Sequence, residues 1–287
     1  MNTETSRREA SKVEITKAEQ LKQRIESYTT EDIIVAFSGG VDSCLILKLA
    51  CNAAKAHGTS VHAMTFQTKL HPSGEASEAK KIAEEMGAVH TIVHVDELNA
   101  AGIEMNPTDR CYRCKKYMFT QALEAAEKMG IRTVLDGTNF DDTKEYRPGL
   151  KALAELGVHS PLKECEFTKA EVRSLAAEYG ISSAQKPSNP CMATRFPYDT
   201  KLSYEKLHRA EAAEEFVRSL GFYNVRARIH DKLVRIEVDK KDIPKLVERS
   251  TEVIEQMKQL GYLYVSVDLE GFRSGSQDVE VKREEVK

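Results

Sequence analysis

Short apolar runs alternate with amphipathic stretches along the first half of the chain. The runs are rich in β-branched residues, which is typical of strands buried on both faces, and they comprise residues 32–37, 60–66, 89–95 and 133–136. The stretches with helical spacing between them are residues 42–57, 75–86 and 115–129. This alternation predicts an α/β fold with a doubly wound parallel sheet, whose ligands bind beyond the carboxyl ends of the strands.

The pattern changes after residue 186, where Pro187, Pro190 and Pro197 follow one another closely. Prolines at this density predict an irregular segment that carries function or links domains. Beyond it the pattern predicts the order helix, strand, strand, helix, strand, at residues 204–220, 225–230, 233–238, 241–260 and 262–269. The sequence therefore predicts a second, smaller α+β domain.

The composition is that of an ordinary globular protein of 287 residues, with 41% hydrophobic residues, 30% charged residues and a formal net charge of −3. No apolar run reaches the roughly 18 residues of a membrane helix, and the polar start lacks a signal-peptide pattern. We therefore expect a cytoplasmic protein without a membrane partner. A net charge near zero argues against a large basic face for nucleic acid. Disulfides are not expected in the reducing cytoplasm, so each of the six cysteines is a core residue, a reactive thiol or a metal ligand.

A glycine-rich turn follows the first predicted strand and opens a predicted helix. Its glycines let the backbone approach phosphates, and its hydroxyls can donate to phosphate oxygens. A carboxylate beside that anion indicates a magnesium bridge. The turn is neither a Walker loop nor a dinucleotide fingerprint. These residues are Ser38, Gly39, Gly40, Val41, Asp42 and Ser43.

This hexapeptide resembles the PP-loop of the adenine-nucleotide α-hydrolase family, whose members split ATP between the α and β phosphates and transfer AMP to an oxygen. A structural turn is the alternative for the SGG tripeptide alone, and a strand-end turn is the alternative for Gly137. The ATP contacts that the resemblance implies are Ala36, Phe37, Ser38, Gly39, Gly40, Asp42, Ser43, Met64 and Gly137.

The chain then divides into five expected segments. They are a flexible tail at 1–15, a PP-loop ATPase domain at 16–186, a cysteine-bearing linker loop at 187–203, an α+β substrate and oligomerisation domain at 204–276, and a polar tail at 277–287. A helix is expected to begin near Thr16, and Thr168 with Glu171 forms a capping-box pattern.

The cysteines fall into different classes. Cys44 and Cys51 share the predicted core face of one helix, and Cys165 has no assigned role. The pair Cys111 and Cys114 has the C-x-x-C spacing at which two thiolates share a metal or a disulfide. Cys191 lies on the proline-rich segment, where Arg195 is near enough to lower its pKa or to hold a substrate anion.

Three motifs together resemble the LarE family, the ATP-dependent sulfur transferases of nickel-pincer nucleotide biosynthesis. The motifs are PCMATRFPY at 190–198, GTNFDD at 137–142 and VDLEGFRSGS at 267–276. The resemblance implies that ATP adenylylates a carboxylate of pyridinium-3,5-biscarboxylic acid mononucleotide and that sulfur delivery then gives a thiocarboxylate. It also implies a homo-oligomer, a hexamer in the family.

Two kinds of sulfur delivery are known in this family. In one, a sacrificial cysteine loses its sulfur, and that cysteine matches Cys191. The other uses a 4Fe-4S cluster on three thiolates, with an open iron that takes sulfide from a donor. The presence of Cys111, Cys114 and Cys191 resembles the cluster branch. Zinc binding and plain thiols remain alternatives.

The resemblance also implies substrate contacts. Arg226 and Arg228 lie two residues apart on one strand face, and with Glu214 they are implied to bind the nucleotide phosphate of the substrate. Asp142 is implied to hold magnesium or to polarise the substrate. A solvated strand face and a helix N-terminal charge are the respective alternatives.

Other functions fit less of the sequence. A PP-loop tRNA thiolase would need a basic surface or an RNA-binding appendage. An amide-forming PP-loop ligase gives the C-x-x-C pair no task. A non-enzymatic iron–sulfur or nucleotide-sensing module need not keep Asp42, Arg195 and the arginine pair together.

Overall fold

The computed structural model describes residues 15–70, 75–144, 147–182 and 190–273. Its larger sheet has four parallel strands in the order β3-β2-β1-β4. These strands are β1 (Ile33–Ala36), β2 (Val61–Gln67), β3 (Val89–His94) and β4 (Thr133–Leu135). The predicted parallel α/β sheet is confirmed.

Helices cover both faces of this sheet. They are α1 (Lys17–Tyr28), α2 (Val41–His57), α3 (Glu75–Glu85), α4 (Glu97–Ala100), α5 (Arg110–Lys128), α6 (Gly149–Glu155), α7 (Pro161–Glu164) and α8 (Lys169–Glu178). The capping box predicted at Thr168 and Glu171 is confirmed, and α1 has another at Thr16 and Glu19. The side chain of each threonine accepts from an N–H group that the helix itself leaves unpaired.

The doubly wound arrangement follows from the side-chain alternation of β1. Ile33 and Val35 join the core that α1, α2 and α8 cover, whereas Ile34 joins the core under α5 and α6. All three residues are fully buried. A strand that is apolar at successive positions therefore feeds two cores, as expected for a parallel strand between two helical layers.

A second sheet has three strands in the order β5-β6-β7. Its strands are β5 (Val225–His230), β6 (Leu233–Val238) and β7 (Tyr264–Val267), and its helices are α9 (Tyr204–Ser219), α10 (Ile243–Glu248) and α11 (Ser250–Gln259). The first two strands are antiparallel and the last two are parallel. The predicted order of helix, strand, strand, helix and strand is confirmed, except that two helices stand in place of the second predicted helix.

The prediction of one continuous helix over residues 241–260 is wrong. A short 3-10 turn at Lys240–Asp242 precedes α10, and the backbone leaves helical geometry at Arg249, where ψ is 16°. The Arg249 guanidinium donates to the carbonyl of Leu220 (2.9 Å) and pairs with Glu252. These contacts fix the residue between α10 and α11, which a periodicity argument does not detect.

The expected segment boundaries remain predictions. Residues 1–14, 183–189 and 274–287 lie outside the described residues, and they include most of the expected N-terminal tail, part of the linker loop and the polar tail. The second core contains Leu70, Leu98 and Ile103 beside side chains of the C-terminal part, so the two parts share packing. Across the described residues, we find no helix with the length and apolar character needed to cross a bilayer.

Candidate functional site

The turn between β1 and α2 is closed by its own hydroxyl groups. The Oγ atoms of Ser38 and Ser43 lie 3.2 Å apart, and Ser43 Oγ donates to the carbonyl of Gly40 (3.1 Å). Gly39 has φ +72°, which favours glycine because other side chains are strained there. Gly40 is the N-cap of α2 and provides no side-chain cap, so the N-terminus of α2 is available to an anion.

Gly137 follows β4 and lies directly against the start of α2. A Cβ atom at this position would be 3.1 Å from the backbone nitrogen of Ser43 and 3.4 Å from the Cβ of Asp42. The close approach of two backbone segments therefore explains the glycine. The structure brings this residue beside the first turn of α2 and thus to the turn of residues 38–43, here called the phosphate loop.

The Asp42 side chain connects the loop to two distant parts of the chain. Its Oδ1 accepts from the Asn139 side chain (3.2 Å), and its Oδ2 forms an ion pair with Lys169 at the start of α8. Asp142 lies next to this group, because its carboxylate accepts from the Asn139 N–H (3.1 Å) and pairs with Arg147 (2.9 Å). Mg²⁺ commonly takes one or two protein carboxylates together with substrate phosphates, which this donor set fits.

The other expected ATP residues lie at the carboxyl end of β1 and at the neighbouring position of β2, where Met64 pairs with Ala36. Ala36 ends β1, and the Phe37 N–H donates to the Met64 carbonyl (2.8 Å). Phe37 and Met64 are buried. Because both side chains are buried, a nucleotide at this edge would contact the backbone of these residues.

A buried carboxylate at the end of β4 links the phosphate loop to the cysteine helix. Asp136 is 4% exposed and accepts from the hydroxyl groups of Thr138 (2.6 Å) and Ser160. Its partner across the site is Lys115, whose Nζ lies 3.6 Å from Asp136 Oδ2. Lys115 directly follows Cys114 on α5, and Asp136 directly precedes Gly137, so the two regions meet here.

The structure brings the three cysteines of the C-x-x-C pair and the proline-rich segment into one region. Cys111 and Cys114 lie in the first turns of α5, and Cys191 precedes the 3-10 turn Met192–Arg195. Burial, followed by the neighbouring thiol of Cys191, raises the pKa of Cys114 well above its ordinary value. Burial also raises the pKa of Cys191 to about 11. The thiol of Cys111 acts electrostatically on both Cys114 and Cys191, and these two residues pack against the second core.

Two buried polar atoms without hydrogen-bond partners lie near these thiols. Glu97 Oε2 has no partner, although Glu97 Oε1 accepts from the Leu70 N–H (3.1 Å), and the Glu97 charge acts on Cys114. Arg110 Nη1 also has no partner, while its guanidinium lies 4.5 Å from the centre of the Tyr198 ring. Within the described part of the chain, no three His, Cys, Asp or Glu side chains stand in a metal-holding arrangement.

The segment that carries Cys191 is anchored from both sides. The Met192 N–H donates to the Leu70 carbonyl (2.7 Å), and the Asn106 side chain donates to the carbonyl of Phe196 (3.1 Å). Arg195 donates to the carbonyls of Pro190 (2.9 Å) and Cys191 (3.4 Å). Arg195 is 0% exposed, so in this structure it holds the Cys191 segment from the inside.

The expected phosphate contacts of the substrate are buried and paired. Glu214, 1% exposed, accepts from Arg195 (2.7 and 2.9 Å), from Arg218 (2.5 Å) and from the Ala227 N–H (3.0 Å). Arg228 pairs with Glu237 (3.0 Å) and donates to the Thr194 carbonyl (2.7 Å). These residues form a network beneath the Cys191 segment.

Arg226 belongs to the same network. Burial, with the nearby charge of Arg195, lowers the pKa of Arg226 to about 10. Its guanidinium lies 5.0 Å from the centre of the Phe272 ring. The alternative of a solvated strand face with surface ion pairs is wrong, since Arg226 is 8% and Arg228 is 5% exposed.

Comparison with known proteins identifies the family. A family model described as a PP-loop domain matches residues 13–147. The pyridinium-3,5-bisthiocarboxylic acid mononucleotide synthase of Lactiplantibacillus plantarum is 38% identical over 243 residues, which cover 85% of this chain and 87% of that protein. The chain belongs to the LarE family.

Two uncharacterised proteins extend this LarE family relationship. The protein slr1717 of Synechocystis is 36% identical over 84% of this chain and 90% of its own length. The protein MJ0830 of Methanocaldococcus jannaschii is 30% identical over 87% of this chain and 94% of its own length. The predicted membership of the LarE family is therefore confirmed. The matched PP-loop domain shows that this LarE-family chain uses ATP.

The remaining cysteines of this LarE-family chain lie apart from the thiol group described above. The predicted core positions of Cys44 and Cys51 are confirmed, because both are buried in the core around α2. Burial raises the pKa of Cys51 to about 11. Cys165 is half-buried beside the core of α1 and α2.

Several residues of the site could not be singled out from the sequence. Lys169 reaches Asp42 across 127 positions of the chain, and no motif connects them. Asp136 and Lys115 come together only because α5 packs beside β4. For Asp136, the signal available was a charged residue at the end of a buried strand, which is where parallel sheets place ligand groups.

Proposed function

We propose that this LarE-family chain adenylylates a carboxylate of pyridinium-3,5-biscarboxylic acid mononucleotide and replaces one carboxylate oxygen with sulfur. The name of the Lactiplantibacillus relative supports the substrate class. The observation that carries the proposal is the link from Cys114 through Lys115 and Asp136 to Gly137 at the phosphate loop. A thiol group and an ATP site on the same sheet edge suit a reaction that needs both.

The first step belongs to the phosphate loop. A substrate carboxylate oxygen attacks the α-phosphorus of ATP, the bond between that phosphorus and the bridging oxygen to the β-phosphorus breaks, and pyrophosphate leaves. The N-terminus of α2 and the hydroxyls of Ser38 and Ser43 face the phosphate charge. Asp42, with Asp142 as a second carboxylate, would hold the Mg²⁺ that neutralises the leaving group.

The second step belongs to the cysteine region. A sulfide sulfur attacks the carbonyl carbon of the acyl adenylate, the bond to the AMP oxygen breaks, and AMP leaves with the thiocarboxylate formed. The sulfide proton goes to solvent, and no electron is transferred. Adenylylation is required because a carboxylate oxygen is a poor leaving group, whereas AMP is a good one.

Cys111, Cys114 and Cys191 would hold the sulfur donor as three thiolates. When a 4Fe-4S cluster is bound by three cysteines, one iron stays free of protein ligands and can carry an additional sulfide. The proposal is supported by the proximity of the three thiols, since Cys111 acts electrostatically on both Cys114 and Cys191, and by the buried cation Arg110, whose charge acts on Cys191.

The buried network beneath Cys191 supports the substrate end of the proposal. Arg226 and Arg228 would supply positive charge for the nucleotide phosphate, with Glu214 and Arg195 fixing the orientation of the segment. In a homo-oligomer, a neighbouring copy of the chain would form the rest of the substrate pocket, and these arginines would complete it. The expected partner is therefore a small anionic nucleotide.

Anaerobic reconstitution with iron and sulfide tests the cysteine assignment. The wild-type chain and a Cys165→Ala control should bind equal iron and develop the same visible absorbance. Cys111→Ala should lose both, because two thiolates do not retain the cluster. Equal iron in Cys111→Ala and in the control would refute the cluster.

A mass measurement separates the two modes of sulfur delivery. After repeated anaerobic turnover with ATP and sulfide, the mass of the chain should be unchanged while thiocarboxylate accumulates beyond one equivalent. Loss of one hydrogen sulfide from Cys191, with product limited to one equivalent, would instead establish a sacrificial cysteine. ATP conversion to AMP and pyrophosphate, followed in the same samples, rules out a purely sensing role.

A further inference from the structure

The peptide unit between Phe37 and Ser38 opens the phosphate loop, and hydrogen bonds hold it on both sides. Its N–H, which belongs to Ser38, donates to Ser43 Oγ (3.3 Å). Its carbonyl, which belongs to Phe37, accepts from the hydroxyl of Thr65 (2.8 Å). Because a peptide unit is planar, these two contacts fix the direction in which the backbone enters the loop. They therefore influence where the loop presents its N–H groups to a phosphate.

The Thr65 hydroxyl is also in contact with a second side chain. Its Oγ1 lies 2.9 Å from Nε2 of His90 on β3. A hydroxyl has one hydrogen and a carbonyl oxygen can only accept, so the hydrogen of Thr65 belongs to the contact with Phe37. The threonine oxygen then accepts from His90, whose Nε2 carries a hydrogen. The result is a directed chain of two hydrogen bonds, in which each strengthens the other.

The sheet brings these groups together from separate strands. His90 lies opposite Ala63 in the register of β2 and β3, so its side chain is on the same face as Thr65, two residues further along β2. Thr65 is 5% exposed, and burial lowers the pKa of His90 below its ordinary value. The imidazole is therefore neutral at about pH 7, with its hydrogen on Nε2. The two contacts span 28 and 25 positions of the chain, so no sequence motif records them.

We propose that Thr65 and His90 are positioning residues for the phosphate loop, which they hold in shape while a nucleotide occupies it. In the present structure the hydroxyls of Ser38 and Ser43 contact each other and the loop backbone. A bound phosphate draws on these hydroxyls, so the contacts on the N–H side of the peptide change. The contact from Thr65 lies on the buried side, at the Phe37 carbonyl, and persists.

This inference rests on the proposed role of the loop in binding the phosphates of ATP, and it is independent of the sulfur source. Neither side chain touches the nucleotide in this assignment. The hydrogen of the Thr65 hydroxyl is already used by the Phe37 carbonyl, and His90 acts through that hydroxyl. The expected effects are therefore on ATP affinity and depend on each other.

Calorimetric binding of magnesium ATP to the full chain tests the contact from Thr65. Thr65→Val keeps the shape of the side chain but removes the donor to the Phe37 carbonyl, so affinity should fall by about 5- to 30-fold, the effect of one buried hydrogen bond. Thr65→Ser restores the hydroxyl and should recover most of the affinity. The matched control Thr133→Val changes a half-buried threonine that pairs with Ile33, at the end of the sheet remote from the loop, and should bind like the wild type.

A second set of variants tests whether His90 acts through Thr65. His90→Leu should weaken magnesium ATP binding by about 3- to 10-fold, because the hydroxyl loses its own donor. His90→Gln keeps an N–H donor on the side chain and should recover part of this loss. In the double variant Thr65→Val/His90→Leu, the loss should equal that of Thr65→Val alone. The control His94→Leu changes an exposed position of the same strand and should leave the affinity unchanged.

Urea unfolding of the same variants separates positioning from stability. A lower unfolding free energy with unchanged ATP affinity in Thr65→Val would overturn the proposal. Additive losses in the double variant, no recovery in Thr65→Ser, or a wild-type chain that binds no magnesium ATP would overturn it as well. The expected pattern of ATP affinities in a chain that forms no thiocarboxylate would refute the proposed sulfur chemistry and leave this inference intact.

Discussion

Removal of the Glu214 carboxylate should destabilise the second half of the molecule strongly. The carboxylate is 1% exposed and neutralises Arg195, which is 0% exposed and donates to both of its oxygens. Arg218 and the Ala227 N–H fill its remaining acceptor positions. Glu214→Ala leaves the Arg195 guanidinium in the interior with two carbonyls and a hydroxyl as its acceptors.

The expected loss is about 3–5 kcal/mol, the usual result of breaking a buried ion pair by removing one partner. This is a large part of the roughly 5–15 kcal/mol that stabilises a typical domain. Glu214→Gln keeps the shape and one acceptor oxygen, so a loss of about 1.5–3 kcal/mol is expected from the missing charge in its hydrogen bonds. The control Glu215→Ala changes an exposed neighbour on α9 and should have a small effect.

Urea unfolding followed by circular dichroism gives these free energies, and amide hydrogen exchange shows whether β5 and α9 open first. The double variant Arg195→Met/Glu214→Leu should recover much of the stability, because a well-packed apolar pair replaces the ion pair. A loss below about 1 kcal/mol in Glu214→Ala would refute a stabilising role of this size. A substrate contact would instead raise the KM of Glu214→Gln for the pyridinium nucleotide without lowering its unfolding free energy.

Three further predictions concern pH, the loop and a cap. Burial alone would raise the pKa of Glu214, but the hydrogen bonds and charge of Arg195 outweigh it and hold the pKa below the ordinary value of 4.5. The stability that the ionised Glu214 contributes to the fold should therefore be complete above pH 4.5 and be lost on further acidification. Urea titrations at several pH values would show this. Gly137→Ala places a Cβ atom 3.1 Å from the Ser43 nitrogen and should weaken ATP binding in calorimetry while stability changes little; unchanged affinity would contradict the close approach. Thr168→Ala should cost about 0.5–2 kcal/mol in thermal unfolding by removing the α8 cap.

The larger sheet could be predicted because its signals are local. Each parallel strand is a short apolar run, and Ile33, Ile34 and Val35 are buried by helices on both faces. The glycine-rich turn could be placed for the same reason, since a strand and a helix flank it directly. Such features depend on a few adjacent residues, whose side-chain types determine the backbone they favour.

The burial of charged residues could not be predicted in this way. Arg226 and Arg228 alternate with apolar residues on β5, which is the pattern of a strand with one solvated face. The Cys191 segment covers that face, since the Thr194 carbonyl accepts from Arg228. Whether such a face is exposed to solvent depends on segments that are distant in sequence. The pattern of residues along one strand carries no information about those segments.

The three cysteines depend on both parts of the molecule. Cys111 and Cys114 belong to a helix of the larger sheet, whereas Cys191 is held by Arg195 and, through it, by Glu214 on α9. Met192 and Phe196 pack with Leu98 in the shared second core, so the segment cannot shift without disturbing that core. The second sheet therefore provides the support that holds Cys191 in the region of the other two thiols. Variants that weaken this support should impair sulfur transfer before they impair ATP binding.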